Sequence, residues 1–152
     1  MAIRVFVLNG PNLNMLGKRE PGIYGGKSLA DIEADCLAAG KRLGLAVDFR
    51  QTNTEGVLVD WVQEAAEAAG GIVLNPGGYT HTSVALHDAI RAAGKPVIEV
   101  HLSNIFAREP FRHHSYVSPV AAGIICGLGP LGYVLALEAL KPMLAAPSSK
   151  RT

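Results

Sequence analysis

The sequence predicts an α/β fold in which helices cover both faces of a parallel sheet. Segments with strand-like and helix-like patterns alternate along the 152 residues, as they do in chains built from βαβ units. Some strand-like segments are apolar at nearly every position, which is typical of parallel strands buried on both faces. Five such strands with alternating helices predict a flavodoxin-like three-layer sandwich with the strand order 2-1-3-4-5.

The first strand and the first helix carry the clearest local signals. Ile3–Leu8 is an almost uninterrupted apolar run, as expected for a buried strand. Ser28 and Asp31 have the spacing of a capping box, in which each side chain accepts a hydrogen bond from the other residue's backbone N–H. The first helix is therefore predicted to begin there and to run to about Leu43.

The later elements follow the same alternation. Ala46–Arg50 alternates apolar and polar residues, which places the second strand near an edge of the sheet. The other predicted strands are Ile72–Leu74, Val97–Val100 and Gly123–Cys126, and the other helices run from about Glu55 to Ala69, Ser83 to Ala93 and Pro130 to Leu140. We expect one domain over residues 1–146 and a disordered polar tail over residues 147–152.

Composition and charge favour a cytoplasmic protein. The net charge is only +1, without the basic face that nucleic-acid binding requires. Cys36 and Cys126 lie far apart among apolar neighbours, which indicates buried free thiols in a reducing compartment. The first apolar run is too short for a signal segment, and no stretch reaches the length of a membrane span. We therefore expect neither nucleic acid nor a membrane as a partner.

A long loop, LNGPNLNMLGKREPGIYGG from Leu8 to Gly26, follows the first strand. It contains the amide of Asn12, the guanidinium of Arg19 and the phenol of Tyr24, and its Gly-Pro and Pro-Gly pairs exclude a helix. A loop of this length in a compact domain is usually functional or disordered. Because its glycines could act as hinges, we predict a lid over a site; an ordinary surface loop is the alternative.

Polar side chains follow the third and fourth strands of the predicted sheet. Asn75 comes directly after the third strand, His101 ends the fourth, and Arg108 and Arg112 lie in the irregular stretch that follows. In sheets of this kind ligands bind beyond the carboxyl ends of the strands, near the point where the strand order reverses. The sequence therefore predicts a ligand site at this edge.

Glu99 and His101 form a candidate catalytic pair. They lie two residues apart on one strand, so both side chains point to the same face. A carboxylate beside an imidazole can fix its tautomer and favour its protonated form. A structural histidine of the core is the alternative, but the position at a strand end favours catalysis.

Signals for metal, nucleotide or nucleophile sites are weak. The histidines lack the spacing of zinc-binding helices, and His87 is predicted to lie on the exposed face of a helix. GLGPLG at Gly127–Gly132 follows the last strand without the acidic residue that dinucleotide sites place further on. Ser83 and Ser103 lack a nucleophile elbow. What remains is acid–base chemistry on a small ligand, without metal or cofactor. Arg19, Arg108 and Arg112 indicate that this ligand carries a carboxylate.

Several ordered blocks of the sequence resemble one enzyme family. They are LNGPNLNMLGKREPGIYG from Leu8 to Gly25, LNPGGYTHTSVALHDA from Leu74 to Ala89, EVHLSN from Glu99 to Asn104, and Arg108 with FRHHSY from Phe111 to Tyr116. On these blocks the chain resembles the type II 3-dehydroquinate dehydratases along almost its whole length. The resemblance implies dehydration of 3-dehydroquinate to 3-dehydroshikimate, without cofactor, through an enolate and with anti stereochemistry.

The resemblance also implies a catalytic role for each of several residues. Tyr24 would be the base that removes the C2 proton, and His101 the acid that protonates the departing C1 hydroxyl. Arg19 would favour the ionised form of Tyr24. Asn12 would hold a water against the enolate oxygen, and Glu99 would orient His101. Apart from the resemblance, one guanidinium leaves nothing to offset desolvation of the phenolate under a closed lid, so we expect Arg108 to contribute a second, weaker charge.

Substrate binding and assembly are implied by the same resemblance. Asn75, Ser103 and the backbone N–H groups at Leu102–Ser103 would hold the substrate carboxylate. His81, Arg112 and Asp88 would contact the ring hydroxyls, with Asp88 supplied by an adjacent subunit of a dodecamer built as a tetramer of trimers. A non-catalytic binding or signalling domain of the same fold, and a lyase or isomerase acting on a related hydroxy acid, are the alternatives.

Overall fold

The computed structural model describes residues 2–18 and 26–145, and it contains one five-stranded parallel sheet in the order β2-β1-β3-β4-β5. The strands are β1 Ile3–Asn9, β2 Leu45–Gln51, β3 Gly71–Asn75, β4 Val97–His101 and β5 Gly123–Cys126. The long helices are α1 Leu29–Leu43, α2 Glu55–Ala68, α3 Val84–Ala93 and α4 Leu131–Ala145. The predicted fold class and strand order are confirmed, including the edge position of β2. The predicted tail at residues 147–152 lies outside the described residues.

The core consists of two apolar layers, one on each face of the sheet. Val5 and Val7 of β1 pack with α1 and α4, whereas Phe6 and Leu8 of the same strand pack with α2 and α3. Successive side chains of a strand point to opposite faces, so both sets are apolar because both faces are covered. This explains why β1 reads as an uninterrupted apolar run.

Helix α1 begins with the predicted capping box. The hydroxyl of Ser28 accepts a hydrogen bond from the backbone N–H of Asp31 at 3.2 Å, and the Asp31 carboxylate accepts one from the N–H of Ser28 at 3.0 Å. The helix ends at Gly44, which has a φ of 73° that glycine adopts without steric cost. The predicted bounds of this helix are therefore confirmed.

Helix α4 is longer than predicted, because it continues past Leu140 to Ala145 with Pro142 inside it. A proline within a helix removes one backbone hydrogen bond. Here the last turn packs Leu144 against Gly70 and Gly71 at the start of β3, where a Cβ on Gly71 would lie 3.2 Å from a Leu144 δ carbon. Apolar burial of this turn offsets the lost hydrogen bond. No helix in the described parts of the chain is long and apolar enough to cross a membrane.

The carboxyl ends of β1 and β3 meet where the strand order reverses. Asn9 and Asn75 are paired across these two strands, and both side chains are buried. The backbone N–H of Gly10 donates to the carbonyl oxygen of Asn75 at 2.8 Å, and a Cβ at Gly10 would lie only 2.5 Å from the Pro76 oxygen. The close approach therefore requires glycine, and it joins the two strand ends beside the candidate site.

Candidate active site

An open cavity of about 340 Å³ lies at the carboxyl edge of the sheet. Its lining includes Asn12, Asn75, His81, His101, Leu102, Ser103, Arg108 and Arg112. These residues come from the last positions of β3 and β4 and from the loops after β1, β3 and β4, as the position of the strand-order reversal predicts. The structure thus brings most of the predicted site residues together around one space of a size suited to a small ligand.

The other predicted site residues lie elsewhere. Glu99 is fully buried next to His101 rather than on the cavity wall. Asp88 is exposed on α3 and is not among the lining residues. Arg19 and Tyr24 lie outside the described residues, so their predicted roles rest on the sequence.

Glu99 is the centre of a buried carboxylate cluster, formed with Thr80, His101, Ser115 and Ser118. His101 Nε2 lies 2.6 Å from Glu99 Oε2, and the hydroxyls of Thr80 and Ser115 lie 2.5 Å and 3.1 Å from the same oxygen. The Ser118 hydroxyl donates to Oε1. A buried carboxylate that accepts this many hydrogen bonds is stabilised in its ionised form.

Ser115 shows why the Glu99 carboxylate is an acceptor. The Ser115 oxygen accepts hydrogen bonds from the backbone N–H groups of Val117 and Ser118, each at 3.0 Å. Both lone pairs of the Ser115 oxygen are then used, so its own proton is donated to Glu99 or to the Thr80 hydroxyl. Since Thr80 itself donates to Glu99, the carboxylate is the final acceptor in both arrangements. Burial alone would raise the pKa of Glu99, but the hydrogen bond and charge of His101 and the hydroxyls of Ser118 and Thr80 together lower it.

The pairing with Glu99 assigns the two nitrogens of His101 to different tasks. Nε2 donates its proton to the ionised carboxylate, which leaves Nδ1 as the ring nitrogen for a ligand. His101 can then deliver a proton from Nδ1 only as an imidazolium, because its other nitrogen already shares its proton with Glu99. The prediction that Glu99 and His101 share one face is confirmed.

His81 lies beside His101 at the cavity. The two rings are stacked, with centroids 6.4 Å apart. Nδ1 of His81 lies 2.8 Å from the backbone oxygen of His114, and because a carbonyl only accepts, Nδ1 carries the proton. Burial lowers the pKa of His81, so its ring is neutral near pH ~7 and offers Nε2 as an acceptor. A neutral His81 avoids charge repulsion with an imidazolium at His101.

Two arginines supply positive charge to the cavity. Nη1 of Arg108 lies 3.3 Å from the hydroxyl of Ser103, and Nε of Arg112 lies 2.7 Å from a carboxylate oxygen of Glu109. Both guanidinium side chains are partly exposed, at 21% and 24%. Guanidinium groups in this setting suit a ligand with carboxylate or hydroxyl oxygens.

Asn12 has a special backbone conformation on the other side of the cavity. Its φ of 71° makes it the single non-glycine residue with a positive φ in the described ranges. Its backbone N–H donates to Asn53 Oδ1 at 3.0 Å, and Gln51 Nε2 donates to the same oxygen at 3.1 Å. The predicted loop is therefore ordered at its start, where it also forms a helical turn over Leu13–Met15.

Sequence reasoning missed Thr80, Ser115 and Ser118, because single hydroxyl residues in loops are common. The available signal was Glu99 itself, since a glutamate in a buried strand needs hydrogen-bond donors around it. The prediction for His87 was wrong. It is half-buried, and its Nδ1 lies 2.7 Å from the Tyr116 backbone oxygen, because the stretch after β4 folds back over α3.

Both cysteines are free thiols, as predicted, although only one of them is fully buried. Cys36 lies in the core, where burial raises its pKa to about 12, whereas Cys126 at the end of β5 is half-buried. Within residues 2–18 and 26–145, no group of three or more His, Cys, Asp and Glu side chains could hold a metal ion.

Comparisons with known proteins identify the family of this chain. A family model described as Dehydroquinase class II matches residues 3–141. The chain is 71% identical over 145 residues to the 3-dehydroquinate dehydratase of Chelativorans sp. (strain BNC1), which covers 95% of this chain and 100% of that protein. The solved type II dehydroquinase of Propionibacterium acnes matches with a TM-score of 0.90 and 46% identity over 93% of this chain and 98% of that one. The chain therefore belongs to the class II dehydroquinase family.

Proposed function

We propose that the chain catalyses the reversible dehydration of 3-dehydroquinate to 3-dehydroshikimate by acid–base chemistry, without a metal or an organic cofactor. As a class II dehydroquinase it is a hydro-lyase, and its curated relatives carry the name 3-dehydroquinate dehydratase. The observation that carries the proposal is the pairing of His101 with an ionised Glu99 at the cavity, because a general acid must be held protonated near its substrate.

The reaction begins with Tyr24 acting as a tyrosinate base. Its phenolate removes the C2 proton, and the electron pair of that C–H bond moves toward the ketone, which becomes an enolate. Asn12 holds a water against the enolate oxygen. A free phenol ionises near pH ~10, so we assign Arg19 and Arg108 the task of stabilising the phenolate electrostatically.

The second step expels the C1 hydroxyl. The enolate electrons form the C1–C2 double bond, the C1–O bond breaks, and His101 gives its Nδ1 proton to the leaving oxygen, which departs as water. Tyr24 is then a neutral phenol and His101 a neutral imidazole. Transfer of one proton from Tyr24 to His101 through solvent restores both groups, so the net change is the loss of one water.

Substrate binding is divided between the two sides of the cavity. Asn75, Ser103 and the N–H groups at Leu102–Ser103 hold the carboxylate. His81 and Arg112 contact the ring hydroxyls, and the acceptor Nε2 of a neutral His81 supports this assignment, since a hydroxyl can donate to it. The two sides together orient the C1 hydroxyl toward His101.

The test is an absorbance assay for the conjugated enone formed from 3-dehydroquinate. We expect turnover that persists after exhaustive chelation, and we expect Tyr24→Phe to lose a factor of about 10² or more while calorimetry still detects ligand binding. Tyr116→Phe is the matched control, because Tyr116 does not line the cavity. An active Tyr24→Phe enzyme would remove the tyrosinate from the mechanism, and an inactive wild type would overturn the function.

The proposal extends to a dodecamer, in which Asp88 acts in the site of an adjacent subunit. Its exposed position on α3, away from the cavity of its own chain, supports this assignment. Subunits carrying Asp88→Asn and subunits carrying Tyr24→Phe should be inactive separately and should recover activity when refolded together. No recovery in confirmed mixed oligomers would show that each site is built within one chain.

A further inference from the structure

A second buried group of polar side chains, the amide cluster, lies behind the cavity at the ends of β1 and β3. It consists of Asn9, Asn75 and Tyr133, whose exposed fractions are 0%, 2% and 0%. The Tyr133 oxygen lies 2.8 Å from Asn75 Nδ2 and 2.7 Å from Asn9 Oδ1. Tyr133 belongs to α4, so this helix reaches into the point where the strand order reverses.

Each hydrogen bond of the amide cluster has a single possible direction. The backbone N–H of Gly77 donates to Asn75 Oδ1 at 3.1 Å, so the nitrogen of that amide faces Tyr133 and donates to its oxygen. The phenol must then donate its own proton to Asn9 Oδ1, while Asn9 Nδ2 donates to the backbone oxygen of Arg50 at 3.0 Å. Both ends of this chain of hydrogen bonds are backbone groups, which cannot exchange donor and acceptor roles.

We propose that Tyr133 is a positioning residue for substrate binding, because its hydrogen bond to one hydrogen of the Asn75 amide nitrogen fixes the direction of the other hydrogen for a ligand in the cavity. The Asn75 nitrogen has two hydrogens, and Tyr133 takes one, so the other is available to a ligand. Asn75 lines the cavity, and its oxygen is turned to Gly77. The residue therefore offers a donor to an acceptor group such as a carboxylate. This inference rests on the proposed function, which assigns Asn75 to the substrate carboxylate.

Two restraints hold the Asn75 amide, and only one of them depends on a side chain. Gly77 fixes the oxygen, and Tyr133 fixes the nitrogen. Without the phenol the amide retains one restraint and can rotate about its last bond, which turns the remaining hydrogen away from the ligand. Burial raises the pKa of the Tyr133 phenol, so it remains neutral and cannot act as an acid or base near neutral pH. Its effect on the reaction should therefore appear in KM rather than in kcat.

The test is Tyr133→Phe, which removes one oxygen and keeps the aromatic ring in the core. We expect KM for 3-dehydroquinate to rise about tenfold, with kcat within a factor of about three of wild type, as for the loss of one hydrogen bond in ligand positioning. In an Asn75→Ala background the same substitution should leave KM unchanged, because the group that it positions is absent. Leu140→Val, in the same helix core, is the control that perturbs packing without touching the amide cluster and should leave KM unchanged.

Two results would overturn the inference: an unchanged KM in Tyr133→Phe, or an equal rise in KM with and without Asn75. Either would show that the phenol only stabilises the fold. Denaturant unfolding of wild type, Tyr133→Phe, Asn75→Ala and the double variant provides a readout that needs no substrate. A coupling of zero between the two positions would contradict the hydrogen bond itself. An inactive wild type would instead refute the proposed function, and the unfolding cycle would still test the link between Tyr133 and Asn75.

Discussion

The carboxylate cluster and the amide cluster satisfy the hydrogen bonds of buried polar side chains in different ways. Both lie at the carboxyl ends of central strands, and both place buried polar side chains next to the cavity. In the carboxylate cluster, four side-chain donors converge on one ion, Glu99. In the amide cluster, three neutral groups form a chain in which each donates to the next.

The difference follows from what burial costs. A buried charge has a large desolvation penalty, so Glu99 is stable only when many donors surround it. A neutral amide or phenol costs less, and its requirement is that each hydrogen and lone pair finds one partner. The charged cluster therefore places a negative charge beside His101, whereas the neutral cluster can only fix the direction of a donor on Asn75. Under the proposed function, proton transfer would depend on the cluster at β4, and substrate binding on the cluster at β1 and β3.

The largest effect that separates the clusters should come from Glu99→Gln. The variant keeps the shape of the side chain but removes the negative charge beside His101, and it places an amide donor among the hydroxyls of Thr80, Ser115 and Ser118. We expect turnover to fall by a factor of about 10² to 10⁴, the usual contribution of a general acid. The enone assay at saturating 3-dehydroquinate measures this effect.

The control for Glu99→Gln is Glu138→Gln, which removes an exposed carboxylate paired with Arg42 on the surface. Surface ion pairs contribute little, so this enzyme should keep wild-type turnover. If the turnover of Glu99→Gln stayed within about tenfold of wild type, the charged cluster would only stabilise the fold, and the contrast with the amide cluster would disappear.

The part of this comparison that could be predicted from the sequence is the part that depends on local patterns. Strand order, the position of the site and the shared face of Glu99 and His101 follow from hydrophobic periodicity and from the chemistry of residues at strand ends. The partners could not be predicted, because they come from distant segments. Asn9 and Tyr133 are 124 residues apart, and Tyr133 lies in the mostly apolar first half of a helix, where nothing distinguishes it from a core residue. Ser118 likewise reaches Glu99 from an irregular loop with no periodic signal.

The smallest and most discriminating prediction compares the pH dependence of stability in Ser118→Ala and Tyr133→Phe. The pKa of Glu99 is lowered in the folded protein, so its ionised form contributes stability above its unfolded pKa of about 4.3, and this is lost as pH falls through the folded pKa. Ser118→Ala removes one donor and raises the folded pKa. It should cost about 1–3 kcal/mol of unfolding free energy at neutral pH.

That cost in Ser118→Ala should shrink as pH falls below about 4, because the wild type then loses the stability that the variant already lacks. The cost of Tyr133→Phe should stay constant over the same range, since the amide cluster contains no group that titrates there. Urea unfolding at several pH values and one protein concentration measures both differences. Parallel curves for the two variants would mean that Ser118 contributes equally to ionised and protonated Glu99, which would contradict the assignment of charge to the carboxylate cluster.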